Sequence, residues 1–230
     1  MSTTGEICNS VSTSNDVLME QLADRGNGNY SYVDTLDEAR RVFVENLTGT
    51  LQIIARDAKI QVDFDPKVIS RYRLLGYENR AVADQDFRND SVDAGEIGAG
   101  HSVTALYEIK FQKDAAAQGR ALTVLVRYQD PDTDEVEEVA HDFWRDGFHT
   151  KIEDASPFFR FTAAVAEYAE ILRQSYWAQD SSLEAVLSLA KSAVAILDEN
   201  EALAEYPSLS KDVTEFVWLV TRANELTNGD

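Results

Sequence analysis

Between residues 68 and 109 apolar and polar positions alternate, break off, and alternate again. Tyr72, Leu74 and Gly76 interleave with Arg71, Arg73 and Leu75. This is the period of two that a half-buried strand requires, and it predicts a strand over 70–77. From 83 to 100 the residues turn to Asp, Asn and Gly, with glycines at 95, 98 and 100, which predicts a long loop. Val103, Ala105 and Tyr107 resume the alternation and predict a second strand over 102–112.

The same period recurs on both sides of this region. LQIIARDAKIQVDF (51–64) alternates loosely through Ile54, Ala58, Ile60 and Val62 and is closed by Asp65-Pro66. ALTVLVRYQ (121–129) and VEEVAHDFW (136–144) predict a hairpin across Asp130-Pro131-Asp132-Thr133-Asp134. Five or six antiparallel strands in this span indicate a β-sandwich.

After residue 150 the period lengthens. Phe161, Val165, Tyr168 and Leu172 recur at four, three and four, predicting an amphipathic helix with Pro157 in its first turn. Ser181 and Glu184 form a capping box opening a second helix, with Leu183, Val186, Leu187, Ala190 and Val194 on one side. A third helix, after Ser210, carries Val213, Val217 and Val220, and three such helices with short joints make a small bundle.

Before residue 47 the pattern is different. Residues 1–13 are polar, and Ser14 or Asn15 caps a helix with Val17, Leu18 and Leu22 on one face and Gly26 at its end. A short strand over 30–33 and a second helix to about Asn46, capped by Asp34 or Thr35, follow. The expected fold class is therefore α+β: an antiparallel β-sandwich followed by a helical bundle and preceded by a helix-strand-helix unit. A lone strand with one helix on each side leaves apolar surface and both edges open. Residues 14–46 are thus expected to pack on the following domain or to be mobile.

Two stretches carry a family resemblance. YRLLGYENR followed by DAGEIGAGHSVTALYE resembles the C-terminal domain of unknown function in bacterial von Willebrand factor type A (VWA) domain proteins. Upstream, SNDVLMEQLADRGNGNYSYVDTLDEARRVF (14–43) resembles the end of the VWA domain that precedes it. The resemblance implies a loose N-terminus and VWA remnant over 1–46 and the family's C-terminal domain over 47–230, with the sandwich over 47–150 and the bundle over 151–230. VWA domains build their metal-ion-dependent adhesion site from Asp-x-Ser-x-Ser plus a Thr and an Asp. This chain has no such motif, since Asp154-Ala-Ser156 and Asp180-Ser-Ser182 both lack the second serine.

Charge and composition narrow the partners. Asp and Glu number 41 against 21 Lys and Arg, a formal charge of -20, which opposes binding to nucleic acid or anionic membranes. A divalent cation or a basic protein surface stays electrostatically allowed, and solubility alone also explains the excess. No apolar run reaches the length of a membrane span. Cys8, the single cysteine, excludes an intramolecular disulfide and a Cys-based zinc site. MSTTGEICNSVSTS lacks the basic and apolar regions of a secretory signal and reads as cytoplasmic-like, whereas the resemblance implies the cell envelope.

Candidate chemistry is sparse. Asp90, Asp93, Glu96 and His101 gather carboxylates and an imidazole in the glycine-rich loop and suit a divalent ion if the loop folds back on itself. Otherwise these acids cap turns or pair with Arg71, Arg73 or Arg80. Asp130-x-Asp132-x-Asp134 resembles the start of a calcium loop, but Glu135 replaces the glycine and His141 the final glutamate, so it reads as an acidic turn. GEIGAG lacks the Lys-Ser/Thr ending of a phosphate loop. His141 and His149 flank Trp144 with no serine elbow or cysteine nucleophile beside them. Phe158, Phe159, Phe161, Tyr176 and Trp177 read most simply as core, with any exposed subset a partner surface.

The function expected is a non-enzymatic protein-interaction or scaffolding module associated with a VWA domain. It needs no cofactor, binds a protein partner and neither binds nucleic acid nor inserts into a membrane. The alternative is a metal-dependent hydrolase using Asp93, Glu96 and His101. A fragment with no role of its own is the third reading, and its mark is an exposed apolar face on 17–46.

Overall fold

The computed structural model describes residues 16–25, 30–45, 52–76, 82–92, 94–116, 118–204 and 207–228. Helix α1 (Asp16–Arg25) and the short α2 (Leu36–Arg40), continued by a π-helical turn (Arg41–Glu45), come first. Strands β1 (Ile53–Phe64), β2 (Ile69–Leu75), β3 (Gly95–Gly98), β4 (Leu106–Phe111), β5 (Arg120–Gln129) and β6 (Val136–Trp144) follow. Helices α3 (Pro157–Leu172), α4 (Leu183–Glu199) and α5 (Pro207–Asn228) close the chain. The fold is mixed α+β, with antiparallel sheets ordered β3-β1-β5-β6 and β2-β4 followed by three helices that pack together. No helix among the described residues is long and apolar enough to cross a membrane.

Several expectations shift. Residues 30–33 form no strand, since local β-propensity alone does not make one without a sheet around it. Thr35, rather than Asp34, caps α2, its Oγ1 accepting the Glu38 N–H at 3.1 Å. Leu18, Met19 and Leu22, and further on Leu36, Phe43 and Val44, are exposed, which is the mark named for the fragment reading. The cap residues Ser14 and Asn15 and the helix-ending Gly26 lie outside the described residues. The 83–101 loop contains β3, which pairs antiparallel with β1 through Ile53↔Gly98, Ala55↔Ile97 and Ala58↔Gly95. Glycine-rich GEIG has little strand propensity of its own, so its pairing is imposed by β1.

The chain divides into two compact units, Met1–Val62 with Val82–Val103 and Val124–His141, and Asp63–Ala81 with Thr104–Thr123 and Asp142–Asp230. In the first, the register shifts between Ala55 and Ala58, where Asp57 takes a φ of 49°. This bulge aims the Asp57 carboxylate at the Ala94 N–H, 3.0 Å away. Nearby, buried Lys59 donates to the Asn89 carbonyl at 2.8 Å, and Phe87 is buried. The loop is therefore tethered to β1 at both ends.

In the second unit, Val68, Ile69 and Ala121 form a core joined by Phe64, Ile109, Phe111 and Phe148. Gly119 is required here, since a Cβ would lie 2.8 Å from Val68 Cγ2. Among the helices, Ser156 Oγ caps α3 by accepting the Phe159 N–H at 3.2 Å, with Pro157 at the first helical position. Ala164, Val186, Ala190 and Val220 form the central cluster, the alanines letting α3 and α4 approach closely. Leu197, Leu203 and Val213 form a second cluster. Burying side chains of this size contributes about 1.5–3 kcal/mol each.

Two helix readings need correction. The buried face of α3 runs through Phe161, Ala164, Tyr168 and Ile171, while Val165 and Leu172 face solvent. A helix apolar on more than one side does not reveal by period which side packs. The cap of α4 is Ser182, which accepts the Ala185 N–H at 3.1 Å, while Ser181 donates its hydroxyl to Glu167. The competing carboxylate on α3 claims the first serine.

Candidate functional site

Among the described residues, the ligand-type groups of the glycine-rich loop are not gathered at one place. Asp90 accepts from Arg127 of β5 at 2.6 Å, so its partner is neither Arg71 nor Arg73, and Arg80 lies outside the described residues. Glu96 is exposed on β3, His101 is exposed beyond it, and Asp93 lies outside the described residues. Among the described residues no group of three or more His, Cys, Asp or Glu side chains is placed to hold a metal ion. Arg88 grips Glu138 of β6 with two bonds, at 2.7 and 3.0 Å, and these bonds hold the Glu138 carboxyl below its usual pKa.

The acidic turn is likewise structural. Asp130 Oδ1 accepts the N–H groups of Thr133 and Asp132, both at 2.9 Å, and these bonds lower its pKa. Asp134 pairs with Arg56 at 3.4 Å. His141 and His149 are both exposed.

The most developed polar arrangement lies instead on β2. Arg73 donates Nε and Nη2 to Glu108 Oε2 of β4, at 3.1 and 2.8 Å, and Nη1 to Glu170 Oε2 of α3, at 2.7 Å. Glu170 is 6% exposed at its side chain and also meets Arg173 at 3.3 Å. Burial works against its charge, but the hydrogen bonds from Arg73 and Ser175 and the charges of Arg73 and Arg173 outweigh that and lower its pKa. Burial likewise opposes the charge on Arg73, yet the bonds to Glu170 and Glu108 raise its pKa. Both groups stay ionised at neutral pH, and the guanidinium is fixed from two sides.

That fixed guanidinium lies 5.1 Å from the ring of Trp177, which meets Tyr176 edge-on at 5.4 Å. The end of α3 sets the positions of both rings. Gln174 adopts a φ of 54°, the Ser175 N–H donates to Glu170 O at 2.9 Å, and the Gln174 N–H donates to Ile171 O at 3.0 Å. This is a Schellman ending with glutamine where glycine is usual. Ser175 Oγ then caps the short turn that carries Tyr176 and Trp177. Tyr176 is 72% exposed, Leu172 62% and Trp177 55%. Phe158 and Phe159 are also exposed, so of the five aromatics expected in the core only Phe161 packs there.

Comparison with known proteins places these features. The model of the family described as Uncharacterized protein YfbK, C-terminal, matches residues 49–224. The chain belongs to this family. A curated relative, Uncharacterized protein YfbK of Escherichia coli (strain K12), is 34% identical over 197 residues, covering 78% of this chain and 33% of the relative. The chain thus spans about a third of that relative's length. No solved structure matches. Within the YfbK C-terminal region the YRLLGYENR stretch supplies Arg73 itself, whereas its partners Glu108, Glu170 and Trp177 lie 35 or more residues away. No local motif announces them. The available signal was indirect: an arginine on a predicted strand and two adjacent aromatics after a predicted helix.

Proposed function

We propose that the chain is a non-enzymatic protein-interaction module that works beside a VWA domain and lacks the metal-ion-dependent adhesion site. The observation that carries this reading is the exposed pair Tyr176 and Trp177, the latter beside a guanidinium held in place by Glu108 and Glu170. Tyr, Trp and Arg dominate the energetics of protein interfaces, and a preorganised arginine loses little freedom on binding. Two further points support it. The absence of Asp-x-Ser-x-Ser removes the adhesion motif, and the exposed apolar positions on 18–44 suit cover by the rest of a VWA sheet.

Calorimetric titration of this chain with a VWA domain supplied as a separate polypeptide tests the reading. Wild type binds, and Tyr176→Ala with Trp177→Ala weakens binding at least tenfold while the melting temperature stays within a few degrees. No binding by wild type, or equal binding by the double variant, defeats it.

A further inference from the structure

In a chain of charge -20, three of the seven lysines converge on one place. Lys67, Lys110 and Lys113, with Ser70, Gln112 and Phe111, line an open pocket of about 540 Å³. Asp114 is the one carboxylate on its lining. None of the three lysines forms an ion pair among the described residues. Arg145 lies over the Phe111 ring at 3.8 Å and also lacks an ion pair among them.

The backbone that carries these side chains is firmly tied. The Gln112 N–H donates to Val68 O at 2.8 Å, the Gln112 amide to Pro66 O at 3.0 Å, and Ser70 Oγ to Lys110 O at 2.9 Å. Asp65 Oδ1 accepts the Lys67 N–H at 2.8 Å, closing the turn that presents this lysine. Acids outnumber bases two to one along the chain, so an unpaired cluster of cations is the reverse of what composition distributes. Like charges held together raise one another's energy, and an anion between them relieves it.

We propose that this pocket binds a small molecule bearing one or more phosphoryl groups. Three ammonium groups need more negative charge than one carboxylate supplies, and lysine serves phosphate as a point-charge donor. The second N–H of the Gln112 amide adds a donor to the polar side, and Phe111 offers an apolar wall. The volume falls in the range of small-molecule sites. The site is separate from the aromatic surface and does not depend on the interaction reading.

The test is calorimetric titration of the full chain with pyrophosphate, inorganic phosphate and citrate, each at ionic strength matched with sodium chloride. Pyrophosphate binds most tightly, phosphate more weakly, and citrate at least tenfold more weakly than pyrophosphate. Lys110→Gln with Lys113→Gln weakens pyrophosphate at least tenfold, and Lys67→Gln alone about threefold, with melting temperatures unchanged. Absence of pyrophosphate binding, citrate binding as tight as pyrophosphate, or indifference to the lysine substitutions overturns the proposal.

Discussion

Two ionic clusters in this molecule use the same chemistry and reach different ends. Around Arg73 a guanidinium bridges carboxylates from a neighbouring strand and a helix, and one of them, Glu170, is almost wholly buried. Around Arg88 and Arg127 the carboxylates are Asp90 and Glu138, the former 66% exposed, and Arg88 itself is 64% exposed. Distances are nearly identical, 2.6–2.7 Å for the shortest bond in each. The difference lies in the solvent. Water competes for Arg88 and Asp90 in the second cluster, where Arg127 and Glu138 are 17% and 26% exposed, whereas losing Arg73 from the first would strand the buried charge of Glu170.

The sharpest way to break the contrast is Glu170→Ala, which removes the charge-assisted bond from Arg73 while Glu108 stays, and should lower stability by about 2 kcal/mol in urea unfolding. A loss below about 1 kcal/mol would put both clusters in the same class. Acid should act in the same direction. The Glu170 pKa is lowered by folding, so its contribution is complete above the unfolded carboxylate value, about 4.3. It disappears as pH falls through the lower folded value. Trp177 fluorescence, followed in wild type and Glu170→Gln, should show an acid transition that the variant lacks.

How far the sequence foretold this contrast depends on distance along the chain. The Pro157 first turn of α3, the hairpin of β5 and β6 and the Val213, Val217, Val220 face of α5 were legible because turn chemistry and period act within a few residues. The short β3 was hidden, since glycine-rich residues become a strand only through β1. Arg73 could be seen, but Glu170 could not be assigned to it. In the candidate loop the same limit applies: Asp90 is paired with Arg127 of a later strand and Glu96 sits on β3, neither of which spacing within the loop indicates.

On the exposed side of the comparison, Arg88→Ala should leave the urea midpoint unchanged within error. A clear loss would mean that the loop is held by its charges instead of by Lys59, Phe87 and β3. The smallest effect is a gain. Gln174→Gly relieves the left-handed strain at the end of α3 and should raise stability by roughly 1 kcal/mol. Equal stability in the two proteins would show that the glutamine side chain compensates.

Arg73 and Glu170 are 97 residues apart, and that separation orders events in time. At ribosomal speeds of roughly 5–20 residues per second, the arginine waits about 5–20 s for its carboxylate to be made. During that interval the β2-β4 pair has only Glu108 to neutralise it. A contact of such length closes late, so losing Glu170 should quicken unfolding and leave the refolding limb of a chevron nearly unmoved. A slowed refolding limb instead would place the salt bridge in the folding nucleus. The bond therefore acts as a latch on the finished β2-β4 pair and helix, setting how long they stay together once joined.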